Sequence, residues 1–163
     1  MRWIWIDTFI DFEPGRRASA IKNVTLAEEC LRDHFPGYAV FPPSLMIEGM
    51  AQTAGILAGE ARGFSENVIL AKIRKARFDD YARPGDRLRY DAVLESIDDR
   101  GAVAGGRVYL NDREIGQIDL MFSHVAAGGA YPDIPESGFV FTEQFMSLLA
   151  GFRGSRAGKE RER

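Results

Sequence analysis

A loop interrupted by proline and glycine, followed directly by an apolar helix, limits the possible folds of this chain more than any other feature. Residues 34–43 read HFPGYAVFPP, and residues 44–59 read SLMIEGMAQTAGILAG. The prolines of the loop favour turns, and proline is well tolerated at a first helical position because the N–H that it lacks has no partner there. Residues 44–59 are apolar or small on every side except at Glu48 and Gln52. A helix of this kind is stable only when other protein elements surround it.

Strand-like segments lie on both sides of this apolar helix. They are rich in β-branched and aromatic residues, and several alternate apolar with charged residues, which is typical of a sheet with one buried and one solvated face. They cover residues 3–6, 8–12, 18–25, 68–73, 75–78, 87–97, 102–110 and 114–124. One long buried helix combined with consecutive antiparallel strands predicts an α+β domain whose sheet wraps around the helix.

Bulk composition narrows the possible functions. A chain of 163 residues with a net charge of −3 fits one domain and lacks the basic surface that nucleic-acid binding requires. The single cysteine, Cys30, excludes an intramolecular disulfide, and we interpret it as a small hydrophobe in preference to a nucleophile. The apolar stretch at 44–59 contains Glu48 and is shorter than the ~20 residues of a membrane span. We therefore expect a soluble, cytoplasmic protein without a signal peptide or a membrane span.

The composition changes near residue 125. We predict one domain over residues 1–125 and a C-terminal extension over residues 126–163. Within the extension, glycine and proline predict a linker, and the apolar spacing at about 142–152 predicts a short amphipathic helix. Residues 154–163 are charged and contain no large apolar side chain, which predicts a disordered tail. A docking arm for an acidic partner protein is the alternative interpretation of this tail.

The central motif consists of His34-Phe35-Pro36-Gly37 and a glutamate, Glu48, fourteen residues after the histidine. With its continuation GMAQTAG, it resembles the β-hydroxyacyl-acyl-carrier-protein dehydratases of the FabZ/FabA type. Two flanking segments agree with that family, residues 13–25 (EPGRRASAIKNVT) and residues 75–86 (KARF and RPGD). The likeness covers about residues 6–123. It implies the hotdog fold, an antiparallel sheet wrapped around one long central helix.

The resemblance also implies an activity. Family members convert (3R)-3-hydroxyacyl-[acyl-carrier-protein] to the trans-2-enoyl product in fatty-acid biosynthesis, without a metal or redox cofactor and with the acyl group on phosphopantetheine. Elimination of water needs a base for the proton at C2, an acid for the hydroxyl at C3, and a dipole at the thioester carbonyl. A neutral imidazole, a carboxyl group in an apolar environment and a helix amino terminus suit these tasks. By resemblance, His34 is the base and Glu48 of the partner subunit is the acid. The implied assembly is a homodimer, and a trimer of dimers is left open.

Four further residues are candidates for substrate binding or for orienting Glu48, namely Gly37, Pro43, Ser44 and Gln52. Pro43 departs from the family, which has a glycine whose N–H binds the thioester carbonyl. Proline has no N–H, and the loss of one such donor reduces the rate by about 10²–10³. The N–H or hydroxyl of Ser44 is the candidate replacement. We expect the depth of the acyl tunnel to depend on the packing of Met50, Leu57 and Phe78.

Alternative interpretations remain open at this point. His34 and Glu48 each have a plain structural explanation, a loop hydrogen bond and a buried ion pair, respectively. A catalytically weak acyl-thioester-binding or scaffold protein, disabled at Pro43, is the second functional hypothesis, and a thioesterase is less well supported. A basic cluster near the middle of the chain forms either a docking site for the acyl carrier protein or a solvated strand edge, and it consists of Lys72, Arg74, Lys75 and Arg77. His124 is interpreted as structural.

Overall fold

A computed structural model describes residues 3–126 and 140–161 of the protein, with side chains described as far as residue 154. Within these residues the chain forms six β-strands, two α-helices and one 3-10 helix. The strands are β1 (Thr8–Glu13), β2 (Arg17–Asn23), β3 (Asn67–Phe78), β4 (Arg87–Ile97), β5 (Gly101–Leu110) and β6 (Arg113–Val125). The helices are α1 (Pro43–Ala61), α2 (Glu143–Arg161) and a 3-10 helix at Glu29–Leu31.

The six strands form a single antiparallel sheet in the order β1-β2-β4-β5-β6-β3. The tight connection between β5 and β6 places Asn111 and Asp112 at positive φ, as a two-residue hairpin turn requires. The third strand, β3, pairs with β6 and lies at one edge of the described sheet. Strands β2 and β4 are neighbours in the sheet, although α1 and β3 lie between them in the chain.

The first helix packs against the sheet, and glycine residues allow the two to approach closely. A Cβ atom on Gly49 would lie 2.6 Å from Cζ of Tyr90, a fully buried side chain of β4. On the opposite side of the interface, a Cβ atom on Gly106 of β5 would overlap the thioether of Met50. These contacts fix the distance between helix and strands. The predicted α+β hotdog fold, a sheet wrapped around one long helix, is confirmed.

Residues 3–6 were expected to form a strand, and this expectation is wrong. They pair with no neighbouring strand, because the Trp5 N–H donates to the Gln52 side chain and the Trp3 carbonyl accepts from it. Backbone groups that bond to a side chain are not available for a β-ladder.

The second helix corrects the prediction for the extension. It spans Glu143–Arg161 and is longer than the expected 142–152, so that residues 154–161 are helical and not a disordered tail. Five of these eight residues are arginine, lysine, glutamate or alanine, which are good helix formers. Leu149 and Phe152 are buried, and α2 packs against β1. The expected linker lies largely at residues 127–139, outside the described residues, and the domain boundary at 125 remains a prediction.

Candidate active site

A cavity of about 140 Å³ lies beside the first helix. Five positions of α1 line it in succession: Glu48, Ala51, Gln52, Gly55 and Ile56. The remaining lining residues that the structure describes come from β3, β6 and the start of the C-terminal segment, and all of them are apolar. The cavity therefore has a polar end, formed by one carboxyl group and one amide, and an apolar remainder. An amphiphilic ligand with a polar reactive end and an apolar tail fits this distribution.

Gln52 holds the Glu48 side chain in place. Its Nε2 donates to Glu48 Oε1 at 3.0 Å and to the carbonyl oxygen of Trp3 at 3.1 Å. Its Oε1 accepts from the backbone N–H of Trp5 at 2.8 Å. The amide orientation is determined because one backbone partner can only donate and the other can only accept. Residues four apart on a helix face each other, so the sequence identified this contact. The use of the contact to orient an acid remains a prediction.

His34 lies in the exposed loop before α1. Its half-buried ring stacks on Phe35 with 4.2 Å between ring centroids, and its carbonyl oxygen accepts from the Val40 N–H at 3.0 Å. Two backbone hydrogen bonds between Phe35 and Tyr38, at 2.9 and 3.0 Å, close the loop. Gly37 lies inside this turn at φ +75°, a conformation that favours glycine. The sequence therefore identified the turn correctly.

One chain does not bring the predicted catalytic pair together. Among the residues that the structure describes, no hydrogen bond or ion pair connects His34 with Glu48, and His34 does not line the cavity. Of the other candidates, Gln52 lines the cavity, whereas Gly37, Pro43 and Ser44 do not. This separation is what the prediction requires if the histidine and the acid of each site come from different subunits. The meeting of the two side chains across a subunit interface remains a prediction.

The amino terminus of α1 offers one free backbone donor. Pro42 precedes the helix and Pro43 is its first residue, so neither position provides an N–H. The N–H groups of Leu45 and Met46 both donate to the Pro42 carbonyl, at 2.9 and 3.2 Å. The N–H of Ser44 has no acceptor among the described residues, and its side chain is exposed. Ser44 therefore provides the first N–H of the helix that is available to a ligand.

A model of the FabA-like domain matches residues 4–119 of this sequence. The chain belongs to the FabA-like family. A relative from Campylobacter fetus, named 3-hydroxyacyl-[acyl-carrier-protein] dehydratase FabZ, is 36% identical over 127 residues, covering 72% of this chain and 84% of the relative. A FabZ of the same name from Symbiobacterium thermophilum is 33% identical over 131 residues, covering 80% and 92%.

Solved structures agree on the fold of this FabA-like protein. The dehydratase heterocomplex ApeI:P from Xenorhabdus doucetiae has a chain with a TM-score of 0.64 at 17% identity, covering 75% of this chain and 83% of that one. A conserved protein from Pseudomonas aeruginosa has a TM-score of 0.59 at 17% identity, covering 72% and 87%. At such low identity these similarities establish the hotdog fold alone.

Two features of this FabA-like site were not identified from the sequence. Arg83 lies over the ring of Tyr38, 5.1 Å from its centroid, and donates a hydrogen bond to its hydroxyl, while the Phe41 N–H donates to the Ala82 carbonyl at 2.8 Å. These contacts connect the His34 loop to a segment about forty residues later in the chain, and no local sequence pattern indicates them.

The three residues expected to set the depth of an acyl tunnel lie elsewhere on the helix and sheet, so that expectation remains a prediction. Met50, Leu57 and Phe78 do not line the cavity. Met50 and Leu57 are seven residues apart, so they share the helix face that packs against the sheet, where both are fully buried. The cavity lies on another face of α1, next to Ala51 and Gly55.

The two other residues considered in the sequence, Cys30 and His124, do not line the cavity. Cys30 is half-buried, and its burial, followed by the nearby Glu28 carboxylate, raises the pKa of the thiol, which agrees with a small hydrophobe. The side chain of His124 is buried, with Nδ1 3.8 Å from Oε2 of Glu66. Burial also raises the pKa of Tyr90, whose neutral ring supports α1 at Gly49. Among the described residues there is no group of three or more possible metal ligands.

The basic residues of β3 are exposed, as both interpretations require. Lys75 Nζ donates to Oε1 of Gln117 at 2.8 Å, and Arg77 pairs with Asp79 at 2.9 Å. Docking of a carrier protein and a solvated strand edge both remain open. None of the helices within the described residues is apolar over enough of its length to cross a membrane.

Proposed function

We propose that this protein converts (3R)-3-hydroxyacyl-[acyl-carrier-protein] to trans-2-enoyl-[acyl-carrier-protein] in fatty-acid biosynthesis. The relatives named as dehydratases support the reaction class. The observation that carries the proposal for this chain is Glu48, which Gln52 holds at the polar end of an apolar cavity. A fixed acid beside an apolar chain-binding space is what elimination from a hydroxyacyl group requires.

In the proposed mechanism, the imidazole of His34 accepts the proton from C2 while Glu48 of the partner subunit protonates the leaving hydroxyl at C3. The C2–H electron pair forms the new double bond, the C3–O bond breaks, and water leaves. Charge that develops on the thioester oxygen is stabilised by the Ser44 N–H and the amino-terminal dipole of α1. No electron is gained or lost, so the proposal includes no cofactor other than the phosphopantetheine arm that carries the substrate.

The proposed assembly is a homodimer, in which β3 pairs with β3 of a second copy. This strand spans twelve residues at an edge of the described sheet, and its partly exposed Ile73 lies among charged side chains. An open strand edge is a template for pairing with another chain. We place the protein in the cytoplasm with its acyl carrier protein, and a trimer of dimers is compatible with this pairing.

Subunit complementation tests both the chemistry and the assembly. His34→Ala and Glu48→Gln homodimers should each lose about 10²–10⁴ in kcat for a 3-hydroxyacyl thioester, measured by enoyl absorbance. Co-expressed in equal amounts, the two variants should recover about a quarter of the wild-type activity, because half of the dimers contain one intact site. If both residues of a site come from one chain, mixing restores nothing and the shared-site mechanism is wrong.

Pro43 favours one alternative, a catalytically weak acyl-thioester-binding or scaffold protein, because the helix lacks an N–H at its first residue. Such a protein would bind acyl carrier protein but form no enoyl product. Wild-type protein that is as inactive as the His34→Ala variant while it still binds the acylated carrier would favour this alternative over dehydration.

A further inference from the structure

The far wall of the cavity comes from the C-terminal segment. Val140, Phe141 and Phe145 line the cavity together with α1, although the family match ends at residue 119. Phe141 packs so closely on α1 that a Cβ atom on Gly59 would overlap its ring. The same ring makes an edge contact with Phe64, with 4.9 Å between centroids. The wall therefore lies outside the residues that the family model matches.

Polar contacts and buried side chains fix this wall in place. The Val140 N–H donates to Oδ1 of Asn67, the first residue of β3, at 3.4 Å. Further along the segment, Arg153 pairs with Glu60 near the end of α1 at 2.7 Å. Between these two points, Leu149 is buried. The segment that carries the two aromatic rings thus contacts both the sheet and the central helix.

The wall lies at the opposite end of the cavity from the reactive group. Glu48 is the first α1 residue that lines the cavity and Ile56 is the last, about 12 Å further along the helix, and Phe141 packs over Gly59, just beyond Ile56. An apolar protein cavity of about 150 Å³ holds a ligand of the size of benzene, or about six carbon atoms. The present cavity of about 140 Å³ is of this size.

We propose that Phe141 and Phe145 terminate the acyl-binding cavity and restrict this protein to short acyl chains, of about six carbons or fewer. The identity of the bound group as an acyl chain rests on the proposed dehydratase function. The size limit itself rests on the aromatic wall. Longer chains would have to displace these two rings, of which Phe141 packs against α1 at Gly59, whereas shorter chains fill the existing space.

The test is a binding profile of saturated acyl-pantetheine thioesters of four to twelve carbons, measured by calorimetry with the full-length protein. These probes lack the 3-hydroxyl and cannot be dehydrated. Wild-type affinity should stop increasing beyond about six carbons. The Phe141→Ala and Phe145→Ala variants should each bind the ten-carbon probe about tenfold more tightly relative to the four-carbon probe, since two more buried CH₂ groups contribute about that factor.

Two further variants serve as controls, one that changes α2 outside the cavity and one that makes the cavity smaller. Met146→Ala removes a half-buried apolar side chain of α2 that does not line the cavity, and its length profile should match the wild type. Gly55→Ala places a methyl group in the cavity, where its Cβ meets Phe122 at an ordinary 3.7 Å, and should weaken binding of the six-carbon probe relative to the four-carbon probe. Circular dichroism establishes that each variant is folded.

The outcomes separate this proposal from the proposed function. Wild-type affinity that rises steadily to twelve carbons, or folded Phe141→Ala and Phe145→Ala variants with unchanged profiles, would overturn the wall as a length limit. Enoyl formation from 3-hydroxyacyl thioesters, measured separately, decides the dehydration. A protein that shows the length limit but forms no enoyl product would support the aromatic wall and refute the dehydratase function. A protein that forms the enoyl product but shows no length limit would support the dehydratase function and refute the wall.

Discussion

Glu48 and His34 are fourteen residues apart in the chain, yet the structure supports them very differently. Glu48 lies on a helix that is buried from Gly49 to Gly59, and a glutamine with three hydrogen bonds to its surroundings holds it. His34 lies in a loop whose residues 35–38 are exposed, and a ring stack with short backbone bonds positions it. The proposed acid is therefore preorganised by its own chain, whereas the proposed base is held mainly by contacts within an exposed loop.

The largest effect is expected from Glu48→Gln, which removes the proposed acid and keeps the contact with Gln52. We expect kcat to fall by about 10²–10⁴ while the free energy of unfolding changes by less than about 0.5 kcal/mol. Steady-state kinetics and denaturant unfolding measure the two quantities. Glu60→Gln, on the same helix but paired with Arg153 outside the cavity, is the matched control and should retain activity. Equal activity of both variants would remove Glu48 from the chemistry.

Gln52→Leu removes the hydrogen-bonded side chain that holds Glu48, the proposed acid. It leaves the buried N–H of Trp5 without its acceptor, which should destabilise the fold by about 1–3 kcal/mol. The freed Glu48 side chain should also lower kcat with little change in KM, because orientation of the acid affects the reaction more than ground-state binding. Urea unfolding and kinetics at saturating substrate check the two effects. A stable variant with normal kcat would mean that Gln52 only fills space.

Gly49→Ala tests whether the height of α1 above the sheet positions the acid. The added Cβ atom would lie 2.6 Å from the buried Tyr90 ring, and overpacking of this kind destabilises by about 1–3 kcal/mol. Gly55→Ala is the matched control, since its Cβ meets Phe122 at 3.7 Å and alanine favours helix over glycine by up to about 1 kcal/mol. Thermal unfolding should therefore shift in opposite directions for the two variants. Shifts of the same sign would argue against a close contact at Gly49.

The features that depend on local sequence pattern could be predicted from the sequence. Alternation of apolar and charged residues identified β4, β5 and β6 within one residue of their observed ends. The prolines before Ser44 and the apolar run after it identified α1. The contact of Gln52 with Glu48 followed from helical spacing alone. All of these are relations between residues close in the chain, for which periodicity is a sufficient guide.

The parts that were missed depend on residues distant in the chain. The extended segment of Trp3 and Trp5 satisfies its backbone through a side chain nearly fifty residues away, so its β-branched and aromatic composition was misleading. The placement of Phe141 over Gly59 depends on how the chain returns after β6, which composition does not specify. The charged end of α2 was assigned to a tail because it lacks large apolar residues, although five of its eight residues are good helix formers.

The smallest effect is expected at the loop of the base. Tyr38→Phe removes the hydroxyl that accepts a hydrogen bond from Arg83 but keeps the ring beneath the guanidinium, and Arg83→Ala removes both contacts. Because the pair is solvent-exposed, each change should alter the free energy of unfolding by at most about 1 kcal/mol. Activity should fall slightly for Tyr38→Phe and further for Arg83→Ala, since the loop that carries His34 loses its side-chain contact with Arg83 and keeps only the backbone hydrogen bond from Phe41 to Ala82. Denaturant unfolding and kcat of both variants provide the comparison with Gln52→Leu. A loss of stability as large as that at Gln52 would mean that the base is held as firmly as the acid, and the contrast between the two would disappear.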